Sequence, residues 1–460
     1  MAQFHRVMSG IDELGRATCN HYNPHMSSDL LSYEQAAALV AAHAQRIRQQ
    51  ILRTERVTLA RATGRILATP IEADDDQPPF ARSTRDGYAC RAADASAFIA
   101  LPIAGATQAG EAPAGPLPSA SAWEIMTGAP VPAGADCVVM LEHVEKSVSS
   151  IRLMPARTIA PGDNIVAKGA QARRGDVQLP AGTKLAPAQI ALAASCGYAH
   201  LEVYVRPRVA ILTTGDELVP VDATPGPGKI RNSNAPMLAA LVANAGAEPI
   251  ILPTAADTAE ALDAALAQTR EADMLLISGG VSAGKFDLVE PALDRLGAQF
   301  YFTGVRIQPG KPLVFGQIPV SKGTGFSPHK NPAGRDEGVS APEVIPFFGL
   351  PGNPISSAAT FHLFAAPILA ALAGSRDSQP RFVLANLARD TDRKTKPGLT
   401  RFLPAHCEFS SSIGELPQVA LVPWQGSGDL TAFARSNCFL VIPEDAGFLT
   451  AGTTVRILLH

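Results

Sequence analysis

Four short segments of this 460-residue chain combine glycine, proline and charge in ways that suit anion chemistry. Thr214-Gly215-Asp216-Glu217-Leu218 follows the apolar run Val209–Thr213. Two adjacent carboxylates at a strand's carboxyl end are costly to bury unpaired. They read as ligands for a metal or a substrate amide, or as a turn cap (Asp216) beside a solvated Glu217. After Met274–Ser278 comes Gly279-Gly280-Val281-Ser282-Ala283-Gly284-Lys285-Phe286-Asp287. Its glycines let backbone N–H groups approach a phosphate or oxyanion, and Asp287 opens the next helix as a cap or a metal ligand. Phe286 stands where a P-loop needs Ser or Thr for Mg2+, and the segment does not follow the first strand of its domain. Both points argue against a P-loop.

Gln308-Pro309-Gly310-Lys311-Pro312 holds a lysine restrained by the proline that follows it. It suits a fixed positive charge facing an anion, or it is a turn with a solvated Lys. In Gly349-Leu350-Pro351-Gly352-Asn353-Pro354 the last proline opens a helix, and glycine-rich backbone at a helix N-terminus is a natural anion site. Four such loops at one sheet edge point to a phosphate-bearing ligand. Ser83–Ala89 and Met126–Asp136 are two further segments of note; taken alone, Asp86-Gly87 reads as an ordinary turn. The histidines do not cluster, and no Ser/His/Asp or HExxH pattern is present.

The elements that must position these loops alternate between residues 207 and 375. Strands are expected at Val209–Thr213, Glu248–Leu252, Met274–Ser278, Phe300–Phe302 and Leu313–Phe315. Helices are expected at Pro236–Asn244, Thr258–Glu271, Asp287–Leu296 and Pro354–Ala373. Such alternation implies right-handed crossovers and a mostly parallel sheet, with ligands beyond the strands' carboxyl ends. The segment 321–344 reads as a polar, flexible insertion. Ahead of this domain, Ser32 and Gln35 form a capping box for a helix running to about Arg53. Residues 73–157, with apolar runs such as Phe98–Ile103, read as a small β domain. Residues 28–72 and 158–206 read as a discontinuous linker domain, 376–460 as a C-terminal β domain, and 1–27 as an irregular extension.

Composition sets the outer limits. Hydrophobic residues are 46% and charged residues 18%, so a sizeable core is available. A net charge of −3 leaves no basic footprint for nucleic acid or an anionic membrane, so any bound anion needs a local site. The six cysteines are scattered singly, without CxxC pairs, and are expected to be reduced thiols. The first 30 residues lack a signal-peptide core, and Ser356–Gly374 reads as a buried helix rather than a membrane span. A soluble, cytoplasmic protein is expected.

Taken in order, the motifs resemble those of the MoeA family, the molybdopterin molybdenumtransferases that include the gephyrin E domain. The matching pieces are STRDGYA at 83–89, MTGAPVPAGAD at 126–136, PAGTKL at 180–185, TTGDEL at 213–218, SGGVSAGKFD at 278–287, QPGKP at 308–312 and GLPGNP at 349–354. The resemblance spans about 32–456. It implies an elongated homodimer of four-domain subunits, with a MogA-like α/β domain facing the partner's first β domain, which gives Asp86 and Thr127 a place in the cleft. It implies a reaction of adenylylated molybdopterin and molybdate, with Mg2+, to molybdenum cofactor and AMP. A MogA-type molybdopterin adenylyltransferase and molybdoenzymes awaiting cofactor are the implied partners; nucleic acid and membrane are not.

Residue by residue, the resemblance implies Asp257, Asp287 and Glu217 as metal or substrate carboxylates, with Asp86, Glu217, Asp287 and Lys311 catalytic. Ser282, Pro309, Gly310, Lys311 and Pro312 would line an oxyanion pocket. Gly279, Gly280, Pro351, Gly352 and Asn353 would shape the pterin-phosphate cradle, and Arg401 and Thr127 would contact substrate. Two departures stand out. Lys168-Gly169-Ala170-Gln171 replaces an acidic segment, so that carboxylate is absent or supplied elsewhere, for example by Asp163 or Asp176. Gln308 stands where many members have Lys, so weaker oxyanion binding is expected.

Overall fold

The computed structural model describes residues 30–50, 52–96, 98–280, 288–319, 344–391, 398–409 and 414–460. They divide into two compact units, one formed by residues up to 55 with 204–460 and the other by 56–203.

The larger unit is built on a six-stranded sheet in the order Glu248–Ile251, Arg208–Thr213, Met274–Ser278, Val344–Leu350, Val314–Pro319, Gln299–Phe302. The first four strands are parallel; Val314–Pro319 runs antiparallel to both of its neighbours. The central strands are near-continuous buried runs because apolar layers cover both faces. Val209, Ile211, Met274, Leu276, Phe348 and Leu350 enter one core, while Ala210, Leu212, Leu275, Ile277 and Phe347 enter the other. Strand alternation thus loads two cores at once.

The Val344–Leu350 strand was not expected. It carries Pro346, adjoins the polar 321–344 segment and ends in residues read as loop, yet it lies at the middle of the sheet. The 321–344 expectation, Val344 apart, and the 1–27 extension fall outside the described residues.

The Tyr33–Arg48 helix begins at the expected capping box: the Gln35 N–H donates to Ser32 Oγ at 3.2 Å, and the Ser32 N–H donates to Gln35 Oε1 at 2.9 Å. Its buried residues Ala36, Val40 and Ala44 recur every fourth position. They join the core of Val209 and Leu276, so this helix belongs with the α/β sheet and not with the linker segment 28–72 to which it was assigned. The helix ends at Arg48, and Thr54–Thr58 is a strand.

The Pro354–Leu372 helix is long and apolar enough to cross a membrane, but 78% of that window is buried inside the protein. It contains a π-helical turn, Phe361–Ala365, just before Pro367. A proline cannot donate to the preceding turn, and the wider turn accommodates that loss.

Residues 382–459 supply Phe382–Leu387, Thr400–Glu408, Gln418–Leu421, Cys438–Ile442 and Thr454–Leu459, whose pairings close on themselves. Ile307–Gln308 pairs in parallel with Thr400 and Arg401 on the rim. One face of this closed sheet contributes Phe402, Phe439 and Leu458 to the same core as Phe361 and Phe364.

The second unit holds a six-stranded sheet in the order Cys137–Met140, Gly87–Cys90, Ala122–Ile125, Leu101–Thr107, Ser150–Leu153, Val144–Lys146. The expected strand Phe98–Ile103 starts three residues later; Phe98 is 93% exposed. A separate core gathers Val57, Leu67, Ile71, Leu185, Leu201 and Val203 around the Pro187–Ser195 helix.

His362 sits in the π turn, its Nε2 buried without a hydrogen-bond partner among the described residues and its ring centroid 6.0 Å from that of His460. Burial, aided by His460, pushes its pKa down from 6.5 to about 4. A histidine held neutral in the folded state leaves stability intact above pH 6.5. That stability is lost as pH falls from 6.5 towards 4, by at most about 1.4 kcal/mol per pH unit. Chemical denaturation between pH 7 and pH 4.5 is expected to show this loss, and His362→Leu to reduce it to the share that His460, also held down to about 4 by burial, contributes. Parallel curves for the two proteins would assign the acid sensitivity elsewhere.

Candidate functional site

Thr213, Ser278 and Leu350 are register partners on three adjacent parallel strands, so the strands end level. Backbone bonds continue past those ends: Thr214 N donates to Ser278 O at 3.1 Å, and Gly279 N donates to Leu350 O at 3.3 Å. The loops that follow are therefore held side by side. A Cβ on Gly279 would lie 2.5 Å from the Thr214 carbonyl oxygen, and one on Gly280 would lie 2.8 Å from Val289 Cγ2. Both residues also have positive φ, +99° and +63°, so glycine is required twice over. A Cβ on Gly352 would lie 3.7 Å from Gly279 Cα, so the second and fourth loops touch.

Asp216 and Asp257 brace each other. Asp257 N donates to Asp216 Oδ1 at 3.1 Å, and Asp216 N donates to Asp257 Oδ2 at 3.3 Å. Lys229 Nζ donates to the Asp216 carbonyl at 2.6 Å. The Glu217 carboxylate lies over Gly215, where a Cβ would be 2.5 Å from its Oε2. Glu217 and Asp257 thus sit at the same edge with oxygen donors suited to a hard cation. Among the described residues no three acidic, His or Cys side chains converge as a metal set. Asp287 and Ser282 lie outside the described residues.

Asn234 was not foreseen, although Asn232-Ser233-Asn234 ahead of an apolar helical run carries a cap signature. Its Nδ2 donates to Ser278 Oγ at 2.8 Å and to the Gly352 carbonyl at 2.5 Å, tying two loops together. Asn232 Nδ2 donates to Thr213 Oγ1 at 2.8 Å and to Thr254 Oγ1 at 3.1 Å, bracing the strand ends below. Pro351 and Asn353 lead into the Pro354 helix: the Pro351 carbonyl accepts from Ser357 Oγ, and Asn353 Nδ2 donates to Ser427 Oγ at 2.9 Å. Ile355 N donates to the Ser427 carbonyl at 3.0 Å, so a loop of the C-terminal sheet caps the helix. Asn353 and residues 425–429 line an open cavity of about 580 Å³. Nothing in the sequence near Ser427 announces this role.

The third loop forms a second group on the same helix. Gly310, at φ +112°, crosses it so closely that a Cβ would lie 2.6 Å from Thr360 Cγ2. Pro309 and Gly310 are buried while Lys311 is exposed; Lys311 is fixed through its carbonyl, which accepts from Val305 N at 3.1 Å. Pro312 is half-buried beside it. Arg401 is 3% exposed. Its Nε donates to Gln308 Oε1 at 3.1 Å, its Nη1 has no partner among the described residues, and burial lowers its pKa. Gln308 therefore does more than remove a charge: it accepts from the buried guanidinium, which a lysine could not do.

In the second unit, Asp86 and Thr127 meet. Asp86 Oδ1 accepts from the Thr127 N–H at 2.6 Å and from Thr127 Oγ1 at 2.9 Å, which holds the exposed carboxyl below its ordinary pKa. Gly87 beside it is obligatory, because a Cβ would lie 2.0 Å from the Val139 carbonyl oxygen. Asp163 and Asp176 each accept a local backbone N–H, from Ala160 and Arg173, and so act as turn caps. Lys168 instead pairs with Asp76 at 3.6 Å.

Comparison with known proteins covers nearly the whole chain. Residues 31–197 match the MoeA N-terminal region (domain I and II), 210–371 a probable molybdopterin binding domain, and 386–460 the MoeA C-terminal region (domain IV). The molybdopterin molybdenumtransferase of Nostoc sp. is 34% identical over 417 residues, covering 88% of both chains. That of Bacillus subtilis is 33% identical over 424 residues, covering 88% of this chain and 90% of its own. The crystal structure of the molybdopterin biosynthesis moeA protein from Pyrococcus horikoshii OT3 superposes with a TM-score of 0.73 at 29% identity. It covers 94% of this chain and 100% of its own.

The Gln308–Arg401 contact has a measurable consequence. Gln308→Lys removes the acceptor and sets an ammonium beside a buried guanidinium, at an expected cost of about 1–3 kcal/mol. Thermal melts are expected to show the variant lowered in anion-free buffer and partly restored by sulfate. An unchanged melting temperature without anion would contradict the pairing.

Proposed function

This chain belongs to the MoeA family, and on that premise we propose that it inserts molybdate into adenylylated molybdopterin with release of AMP. It is a molybdopterin molybdenumtransferase, a transferase of molybdenum cofactor biosynthesis. The observation that carries the finer reading is the level ending of three parallel strands, which sets glycine-rich backbone, carboxylates and a helix N-terminus along one edge.

Each group has a chemical task there. The Gly279-Gly280 turn receives the pyrophosphate, because closely approaching backbone suits negative charge, and the dipole of the Pro354 helix, whose Ile355 N–H is already bonded to Ser427, adds to it. Lys311 and the buried Arg401 hold the oxyanion, Arg401 through the Nη1 that has no protein partner. Ser427, bonded to Asn353, borders the open cavity beside the cradle. Glu217 and Asp257 hold Mg2+, with Asp287 as the expected third carboxylate; the ion's chemistry is to neutralise charge on the pyrophosphate. Asp86 is kept ionised by its two bonds from Thr127. The chain acts in the cytoplasm as a homodimer whose cleft combines Asp86 and Thr127 of one subunit with Lys311 and Glu217 of the other.

The test is molybdate-dependent AMP release from adenylylated molybdopterin with purified protein and Mg2+. Lys311→Ala and Asp86→Asn are each expected to reduce release at least a hundredfold, at unchanged melting temperature, consistent with loss of a preorganised charge. Mixing the two inactive variants is expected to restore part of the activity, since a shared cleft regenerates one intact site per mixed dimer. No recovery would place the site within one subunit. Tight pterin binding without AMP release at any molybdate concentration would make the protein a carrier.

A further inference from the structure

Six buried side-chain polar atoms lack a hydrogen-bond partner in the described structure. Those of His43 and His362 lie among aromatic packing, the Tyr88 side chain has the Lys146 ammonium beside it, and Arg401 has been given a task above. The remaining two belong to Thr214, whose Oγ1 lies against Gly279 and Gly280, and to Asn234, whose amide is bonded to Ser278 in the same turn. Buried polar atoms in a folded protein are nearly always paired, and leaving two unpaired at one turn destabilises the free protein.

The geometry of each is constrained. Asn234 Nδ2 donates to the Gly352 carbonyl, which can only accept, so the amide cannot be reversed and Oδ1 must face away from that bond. Both amide hydrogens are spent, on Gly352 and on Ser278, leaving only lone pairs to offer. Thr214 is 3% exposed, and its Oγ1 lies 3.1 Å and 2.9 Å from the positions a Cβ would take on Gly279 and Gly280. The hydroxyl therefore packs directly against the backbone of the two glycines, with no side chain between them.

We infer that Thr214 and Asn234 are substrate-binding residues of this cradle, Asn234 accepting from an N–H or O–H of the bound pterin nucleotide and Thr214 bonding a neighbouring polar group. The inference rests on the molybdopterin reading of the site and specifies which hydrogen-bonding groups it uses. It also explains why a hydroxyl is kept at Thr214, where an apolar side chain of equal size would stabilise the free protein.

Thr214 carries the test, because substituting Asn234 would also break the bridge between two loops. Binding of adenylylated molybdopterin is measured by calorimetry for the parent protein, Thr214→Val and Thr214→Ser, alongside thermal melts. Thr214→Val keeps the shape and removes an unpaired hydroxyl. It is expected to melt at or above the parent temperature while binding about tenfold more weakly, and Thr214→Ser is expected to recover the affinity. Equal binding by Thr214→Val and the parent, or no recovery in Thr214→Ser, overturns the inference while leaving the molybdopterin reading intact. Absence of binding by the parent overturns both.

Discussion

Everything at the site depends on the pairing of three parallel strands that end level. Parallel ladders fix where each strand stops relative to its neighbours, and here Thr213, Ser278 and Leu350 are partners. The backbone bonds just beyond them leave the next residues almost no room, which is why Gly279 and Gly280 cannot carry side chains. Loops separated in sequence by about seventy residues are thereby held in contact by the sheet rather than by their own conformations.

The C-terminal sheet completes what the α/β layer cannot do alone. The Ser427 carbonyl accepts the Ile355 N–H at the first turn of the Pro354 helix, and Ile307–Gln308 pairs with Thr400 and Arg401. That second pairing places Gln308 where its side chain meets the buried guanidinium. The buried guanidinium is thus held between two segments, each supplying half of a hydrogen bond. A neutral partner suits it: the Gln308 amide oxygen accepts from the guanidinium, whereas a second cation there would offer it no acceptor.

Sequence reasoning found the elements whose signals are local. Val209–Thr213 and Met274–Ser278 read as strands because both faces of the sheet are covered and every position is apolar or small. The Ser32–Gln35 capping box set the start of the first helix, but nothing in that helix says which core its alanines enter. Val344–Leu350 was missed because its polar flank and Pro346 masked a buried strand. At the site, the glycine-rich loops were legible from composition, whereas Asp86 with Thr127 stood out only through family resemblance. Asn234 and Ser427 act through partners 118 and 74 residues away, a separation that no local pattern encodes.

The shared core also bears on how such a chain can be inherited. Phe402, Phe439 and Leu458 pack in one cluster with Phe361, Phe364 and Val209, although they belong to different matched segments, 386–460 and 210–371. The interval between those segments is therefore a seam in the text of the protein but not in its packing. Exchange between relatives that differ at two positions in three would place one lineage's aromatic side chains against another's. A breakpoint that leaves this cluster intact would therefore have to keep the Tyr33–Arg48 helix together with residues 204–460, although 56–203 lie between them in sequence.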